Sequence, residues 1–300
     1  MNETKQSLME LADSIDLLAE QIKTMDALEA TNEFMELHKE FEEITENYSL
    51  ERKETWSKKY RKGYLKEWLR DRGLEPAQAT EGLSSDRYLT KTAEYLADNF
   101  SKLEEFYKSL KNGQSVRRNF NFLDHGNAMA YISTWCQMLK NHEIIDYVIE
   151  KQNGFYVDIA EMKLATFFIN GYWLELLLRS EIGDLIKNNG DKIDSFDILS
   201  GVEILKPDNS LTEFDLMLMV NEQVYWFECK SGDIGRYYKL FNEHRKLIDL
   251  DYKNAVAVIP SPNVQIASNF RKRSQMQTFS ATDLQAQLNR ILFKDQTQLI

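Results

Sequence analysis

Cysteine and histidine are scarce in this chain of 300 residues, which limits the metals and crosslinks it can use. The two cysteines, Cys136 and Cys229, are too few for a disulfide framework or a four-cysteine zinc site. The four histidines show no paired spacing of the kind that zinc ligands have. If the protein binds a metal, carboxylates must hold it, and Mg²⁺ or Mn²⁺ suits such ligands.

Long apolar runs, prolines and glycines are also few. No apolar run approaches the roughly 20 residues that a bilayer-spanning helix needs. The acidic segment 1–20 lacks the basic and then apolar order of a signal peptide. With four prolines and 12 glycines, the sequence has no low-complexity tract. We therefore expect a cytoplasmic globular protein without a membrane partner.

The net charge of −11 is unevenly distributed. Residues 1–50 contain 13 acidic and 3 basic side chains, whereas residues 51–72 contain 9 basic and 4 acidic ones. Outside residues 1–50 the chain is close to neutral. The overall charge therefore neither favours nor excludes a polyanionic partner such as a nucleic acid.

Residues 1–160 are predicted to form a mainly helical region. Apolar residues recur at three- and four-residue steps through residues 3–46, which favours a helical hairpin or coiled-coil arm. Residues 51–72 predict another helix with an aromatic stripe beside basic side chains. That stripe fits either a nucleic-acid contact or a buried face with a solvated rim. Two strands near residues 144–159 predict a winged-helix-like hairpin.

The pattern changes in residues 161–300, which we expect to form a separate domain. A strongly apolar helix is predicted over residues 164–187. Strand-like segments follow near 194–205, 213–220, 223–230, 254–260 and 275–279, with helices expected at 233–249 and 282–293. Strands interleaved with helices indicate an α/β domain, in which helices flank a mixed central sheet.

Two apolar segments of this domain flank Asn221–Glu222, which predicts a tight hairpin turn. If Val220 pairs with Gln223 across that turn, Asp215 falls opposite Glu228. Strand alternation then places Lys230 on the same face as Glu228. A cluster of charges on a solvated sheet face is the plainer interpretation. The apolar character of both strands argues against it, because charges in central strands are costly unless they pair or bind a cation.

Two carboxylates and an amine in this arrangement suit phosphodiester hydrolysis. Neighbouring carboxylates repel each other, and a divalent cation allows both to stay ionised. Such a cation polarises the phosphate and lowers the pKa of a bound water. Lys230 could orient that water or stabilise developing charge, and the carbonyl of Cys229 could be a further metal ligand. We therefore interpret Asp215, Glu228 and Cys229 as metal ligands.

Asp215, followed after twelve residues by Glu228-Cys229-Lys230, resembles the signature of the PD-(D/E)xK, or restriction-endonuclease-like, nucleases. The upstream segment Gly171–Glu175 (GYWLE) resembles a helix of the CRISPR ancillary nucleases. The resemblance covers roughly residues 164–295. Phe214 replaces a proline, Tyr172 a glycine and Thr212 an asparagine of these patterns.

The resemblance implies a restriction-endonuclease-like fold and a divalent-metal-dependent endonuclease that uses Mg²⁺ or Mn²⁺. It implies that Glu175 reaches the metal site, so that Glu175 joins Asp215, Glu228 and Lys230 as a catalytic candidate. It implies a nucleic-acid partner, with DNA favoured over RNA, a homodimer, and a role in defence or repair. Residues 1–160 do not resemble the ligand-sensing domain of the family.

Two alternatives stay open at the level of sequence. The chain could be a nucleic-acid-binding or scaffold protein that keeps the nuclease fold without cleaving. The helical region could also recruit a partner and thereby control the nuclease. Tyr237, His244 and the cluster Arg271–Arg273 are further candidates for phosphate contacts, or belong to solvated helix faces.

Overall fold

The structure is a computed structural model that describes residues 57–82, 87–112, 118–119, 128–151, 154–206, 208–260 and 264–293. Residues 1–60 and residues 61–300 are two compact units, and the coiled-coil arm predicted in residues 3–46 lies outside the described residues. No helix among the described residues combines the length and hydrophobicity that crossing a bilayer requires.

The helices of the described residues are α1 (Tyr64–Arg70), α2 (Arg87–Asp98), α3 (Phe100–Asn112), α4 (Ala128–Asn141), α5 (Lys163–Phe167), α6 (Trp173–Asn188), α7 (Tyr238–Leu247), α8 (Val264–Ser274) and α9 (Leu284–Phe293). The strands are β1 (Glu75–Glu81), β2 (Arg118–Asn119), β3 (Ile145–Lys151), β4 (Gly154–Ile159), β5 (Phe196–Leu205), β6 (Leu211–Val220), β7 (Gln223–Cys229), β8 (Ala255–Ile259) and β9 (Gln277–Ser280).

A six-stranded sheet forms the centre of the unit, in the order β1-β5-β6-β7-β8-β9. The pairs β1–β5, β5–β6 and β6–β7 are antiparallel, and the pairs β7–β8 and β8–β9 are parallel. All five side chains of β8 are buried, as are most of those of β6 and β7, so these strands are covered on both faces. The predicted α/β class with a mixed sheet flanked by helices is confirmed.

Helices α1, α7 and α8 contribute Leu65, Phe241 and Phe270 to the core against the sheet. Helix α6 packs against α2 and α9. Its first residue, Trp173, is fully buried and stacks on Phe100 of α3, with the ring centroids 6.0 Å apart. The long apolar helix predicted at residues 164–187 is present, but a π-helical segment, Phe168–Tyr172, separates α5 from α6.

Elements from both sides of residue 160 share the unit of residues 61–300. Strand β1, from before residue 160, pairs with β5, from after it. The domain boundary predicted at residues 160–161 stays a prediction. The hairpin predicted at 144–159 is present as β3 and β4, and β2 joins it to form a three-stranded sheet. Its winged-helix assignment stays a prediction.

The continuous helix predicted over residues 51–72 is wrong. Gly63 has a φ of +89°, a left-handed conformation that favours glycine, and α1 begins only after it. The buried carboxylate of Asp197 accepts a hydrogen bond from the N–H of Leu65 in the first turn of α1. Lys62 and Lys66 pair with Glu81, so much of the predicted basic surface is matched by acids.

Candidate active site

The β6–β7 hairpin has the register that the sequence predicts. Val220 pairs with Gln223, and the ladder continues to the pair Leu216 and Phe227. The turn residues Asn221 and Glu222 both have positive φ, at 50° and 67°, which is the backbone of a tight two-residue turn. Asn221 also fixes the turn, because its Oδ1 accepts a hydrogen bond of 2.7 Å from the N–H of Asp194.

The regular alternation of β5 and β6 is interrupted at Asp215. Pairing of Ser200 with Leu216 and of Val202 with Phe214 places Asp215 opposite Gly201, which has a φ of +54°. Side chains three positions apart on β6, Phe214 and Met217, belong to the same hydrophobic core, which strict alternation would not allow. Asp215 therefore lies where the alternation of side chains between the two faces of β6 is interrupted.

Asp215, Glu228 and Lys230 meet on one face of this hairpin. The Nζ atom of Lys230 lies 3.0 Å from Glu228 Oε1 and 3.6 Å from Asp215 Oδ2. Asp215 Oδ2 also accepts a hydrogen bond of 2.6 Å from the backbone N–H of Cys229. The structure thus brings together the three side chains that the sequence analysis grouped, and their chemical roles stay predictions.

Glu228 is the most enclosed of the three. Its side chain is almost fully buried, and its Oε2 accepts a hydrogen bond of 3.2 Å from the indole N–H of Trp226. Burial and repulsion from Asp215 raise the pKa of Glu228 to about 8, against the attraction of Lys230. Burial lowers the pKa of Lys230, but attraction to Glu228 and Asp215 outweighs that effect and leaves the pKa raised. Lys230 is therefore a firmly charged ammonium.

Glu175 enters the site from the first turn of α6. Burial, followed by repulsion from Asp215, raises the pKa of Glu175 to about 8. Burial also raises the pKa of Asp215, against the attraction of Lys230 and the hydrogen bond from Cys229. Burial is the largest cause of the raised pKa in all three acids, so this enclosed site disfavours their charged forms and favours a bound proton or a further cation.

The conformation and close packing of Gly171 explain why the GYWLE segment begins with glycine. Its φ is +139°, and a Cβ there would lie 2.6 Å from Ser231 Oγ and 3.3 Å from Ser231 Cβ. Ser231 Oγ donates a hydrogen bond of 2.8 Å to the carbonyl of Asn170. The π-helical segment therefore lies directly against the residue that follows Lys230, which fixes the start of α6 relative to the hairpin.

The site opens into a cavity of about 360 Å³. Its lining includes Glu175, Asp215 and Lys230 but not Glu228, which lies behind them. The remaining lining residues are Lys111, Phe167, Asn170, Gly171, Tyr172, Cys229, Ser231, Gly232, Asp233, Arg236 and Tyr237. The aromatic rings of Phe167 and Tyr172 stack with centroids 4.5 Å apart, and the Phe167 side chain is largely exposed. The cavity thus combines carboxylates, ammonium groups and aromatic faces.

Lys111 is a lining residue that the sequence analysis missed. It lies in the last turn of α3, and its Nζ donates a hydrogen bond of 2.6 Å to Ser231 Oγ. No local motif marks this lysine, because 120 residues separate it from its partner. Only the packing of α3 brings it to the cavity.

Of the other predicted phosphate contacts, only Tyr237 is among the residues that line the cavity. His244 is buried, and its Nε2 is 2.8 Å from Thr212 Oγ1. Burial, with repulsion from Lys206, lowers the pKa of His244 to about 4, so the ring is neutral at physiological pH. Tyr237 does line the cavity, whereas the cluster Arg271–Arg273 is not among its lining residues.

The donor groups are compatible with a hard divalent cation. Asp215, Glu175 and Cys229 line the cavity, and the carboxylate of Glu228, which is not part of the lining, lies 3.0 Å from Lys230 Nζ. Among the described residues, no three acidic, histidine or cysteine side chains form a complete metal-ligand cluster. Mg²⁺ commonly takes only one or two protein carboxylates and completes its shell with water and substrate oxygens. The residues therefore fit such an ion rather than a metal enclosed entirely by protein.

The sequence matches no known family model and no curated protein. Among solved structures, it is similar to protein VC1899 from Vibrio cholerae, with 18% identity and a TM-score of 0.53 over 76% of this chain and 60% of that one. It is also similar to Can2 from Sulfobacillus thermosulfidooxidans, solved with cyclic tetra-adenylate, with 15% identity and a TM-score of 0.55 over 77% and 61% of the two chains. The chain thus spans about 60% of the length of these proteins, and the likeness shows a shared fold.

Proposed function

We propose that this protein is a divalent-metal-dependent nuclease that hydrolyses phosphodiester bonds of nucleic acid. One observation carries the proposal: the ammonium group of Lys230 lies within 3.6 Å of both Asp215 and Glu228, and Lys230 and Asp215 line an open cavity. The similarity of the fold to VC1899 and Can2 supports it, as does the resemblance of the hairpin to the PD-(D/E)xK signature.

In this mechanism Asp215, Glu228 and the Cys229 carbonyl would hold Mg²⁺ or Mn²⁺. The ion would polarise the phosphodiester and lower the pKa of a coordinated water. Lys230 orients the attacking water and stabilises the negative charge that develops on the phosphate. Glu175, with a pKa of about 8, can exchange a proton with the water near neutral pH.

The rim of the cavity fits a nucleic-acid substrate. Exposed aromatic rings offer stacking surfaces to bases, and every base has such a face. Phe167 and Tyr172 provide a stacked pair on one side, and Tyr237 provides a partly exposed ring that lines the same cavity. The expected preference for DNA over RNA is part of this proposal and is tested directly below.

The test is a cleavage panel with the purified full chain. Single- and double-stranded DNA and RNA are incubated with Mn²⁺, with Mg²⁺, or with EDTA. We expect cleavage with metal and none with EDTA, and we expect Asp215→Ala and Lys230→Ala to slow cleavage by about 100-fold or more. Lys187→Ala serves as a matched control, because Lys187 is an exposed lysine of α6 outside the cavity.

Cleavage by Lys230→Ala at the wild-type rate would refute the proposal. Binding without cleavage across the whole panel would instead favour a nucleic-acid-binding or scaffold protein. One observation favours this second function: Glu228 is buried and paired with Lys230, which limits its access to a metal ion in the cavity.

A further inference from the structure

Lys111 extends from the helical region to the same cavity as Asp215 and Lys230. Besides its hydrogen bond to Ser231, its Nζ lies 3.6 Å from the position that a Cβ on Gly232 would occupy. The ammonium group of Lys111 therefore lies directly beside the backbone that follows Lys230, at ordinary contact distance. This lysine lies outside the segment that resembles the nuclease family.

The position of Lys111 is fixed by buried contacts of its own helix. Tyr107, one turn earlier on α3, is fully buried and packs edge-on against Trp173, with centroids 5.9 Å apart. Trp173 is the first residue of α6, and Glu175 follows two positions later. One packed aromatic cluster thus holds the backbones that carry Lys111 and Glu175, and the hydrogen bond to Ser231 then directs the Lys111 ammonium group to the cavity.

The charge of Lys111 differs from that of Lys230 in how it is compensated. Lys230 is paired with two carboxylates, whereas the described polar contact of Lys111 is with the neutral hydroxyl of Ser231. Burial and repulsion from Lys230 act on Lys111, and both effects disfavour its charged form. An anion that entered the cavity would offset both effects, because its negative charge would stabilise the ammonium group of Lys111 and reduce the repulsion from Lys230.

We propose that Lys111 binds a phosphate of the nucleic acid substrate and provides a positive charge to the active site in addition to that of Lys230. This inference rests on the proposed nuclease function and adds a residue of the helical region to its substrate contacts. In this arrangement Lys230 orients the attacking water, and Lys111 binds the phosphate from the side of α3. The hydroxyl of Ser231 holds the ammonium group in place before substrate arrives.

The experiment compares Lys111→Met and Lys111→Arg with Lys108→Met in the full chain. Lys108 is on the same helix, is largely exposed and pairs with Glu104, so its replacement is a matched control. Oligonucleotide binding is measured in EDTA by fluorescence anisotropy at several salt concentrations, and kcat and KM are measured with Mn²⁺. We expect Lys111→Met to weaken binding, to lower the salt slope by about one, and to lower kcat/KM by about 10-fold or more.

Lys111→Arg should recover much of the binding, because it keeps the charge. Ser231→Ala removes the hydroxyl contact and keeps Lys111, so it should weaken binding less than Lys111→Met does. Thermal melting of each variant separates loss of folding from loss of charge. If Lys111→Met melts far below wild type, Lys111→Gln and the salt slope of Lys111→Arg provide the same comparison.

Wild-type binding, salt slope and kinetics in Lys111→Met would overturn the inference. Separate variants test the nuclease activity and the role of Lys111. If Lys230→Ala is inactive and Lys111→Met is unchanged, only the role of Lys111 is wrong. If Lys230→Ala cleaves normally, the proposed function is wrong, and the EDTA binding data still decide whether Lys111 contacts nucleic acid.

Discussion

Replacing Gly171 with alanine should destabilise the protein and slow the proposed reaction. The added Cβ would lie 2.6 Å from Ser231 Oγ, a separation that real Cβ atoms essentially never show, so Ser231 Oγ must rotate out of its hydrogen bonds or one of the two segments must move. The φ of +139° adds strain, because L side chains rarely adopt this conformation. Glu175 lies four residues after Gly171 at the cavity, so any shift of the π-helical segment displaces it.

The expected loss follows from these two contributions. A residue held in a sparsely populated backbone region costs about 1–3 kcal/mol. Overpacking a site with an extra methyl group costs typically about 1–3 kcal/mol. The free energy of unfolding should therefore fall by roughly 2–6 kcal/mol. For a protein of this size, that corresponds to a decrease of roughly 5–20 °C in Tm.

Thermal melting followed by circular dichroism measures the effect. Gly190→Ala is the matched control, since no atom lies within 4 Å of the added Cβ and the backbone of Gly190 is not left-handed. In a double variant with Ser231→Gly, the stability lost through the close contact should be recovered, and the stability lost through the φ of residue 171 should not. If Gly171→Ala melts within 1 °C of Gly190→Ala, a difference worth only a few tenths of a kcal/mol, the close packing against Ser231 does not hold and the reasoning fails.

Three further outcomes follow from the charges and hydrogen bonds of the site. In EDTA, stability should fall as the pH rises from 6.5 to 8, because the folded state keeps protons on Glu175 and Glu228, whose pKa values are about 8, while the unfolded state has released them. Below pH 6.5 the low pKa of His244 acts in the opposite direction, and a stability that rises between 6.5 and 8 would contradict the expectation. Mn²⁺ should raise Tm more at pH 8 than at pH 6.5, since ionised carboxylates bind it better, and an equal rise in Asp215→Ala would argue against this site. Thr212→Val should cost about 1–3 kcal/mol in urea unfolding, because it leaves the buried Nε2 of His244 without its partner, and it should leave cleavage rates unchanged.

The hairpin could be predicted because its determinants are local. A two-residue turn sets the register, and strand alternation then fixes which side chains share a face. Asn221 and Glu222 form that turn, so the grouping of Asp215 with Glu228 followed from sequence alone. The break opposite Gly201 was not predicted, because it depends on the pairing of β6 with β5 rather than on β6 itself.

The features that were missed depend on contacts between distant segments. Strand β1 is rich in polar and small residues and largely exposed, so its sequence lacks the apolar alternation of a strand. It forms because β5 offers a partner more than a hundred residues away. Lys111 reaches the cavity for a similar reason, through the packing of Tyr107 on Trp173. Gly63 could have marked the interruption of the helix predicted over residues 51–72, since glycine commonly ends helices.

Strand β1 determines which truncated forms of this protein are suitable for biochemical work. A chain shortened to residues 161–300 would lose β1 and leave the backbone polar groups of β5 unpaired along a mostly buried strand. Such a fragment should self-associate by edge-to-edge pairing, and its poor behaviour would say nothing about control by the helices. A fragment that begins at Arg61 retains every strand of the sheet together with Lys111, so comparing it with the full chain measures the contribution of residues 1–60.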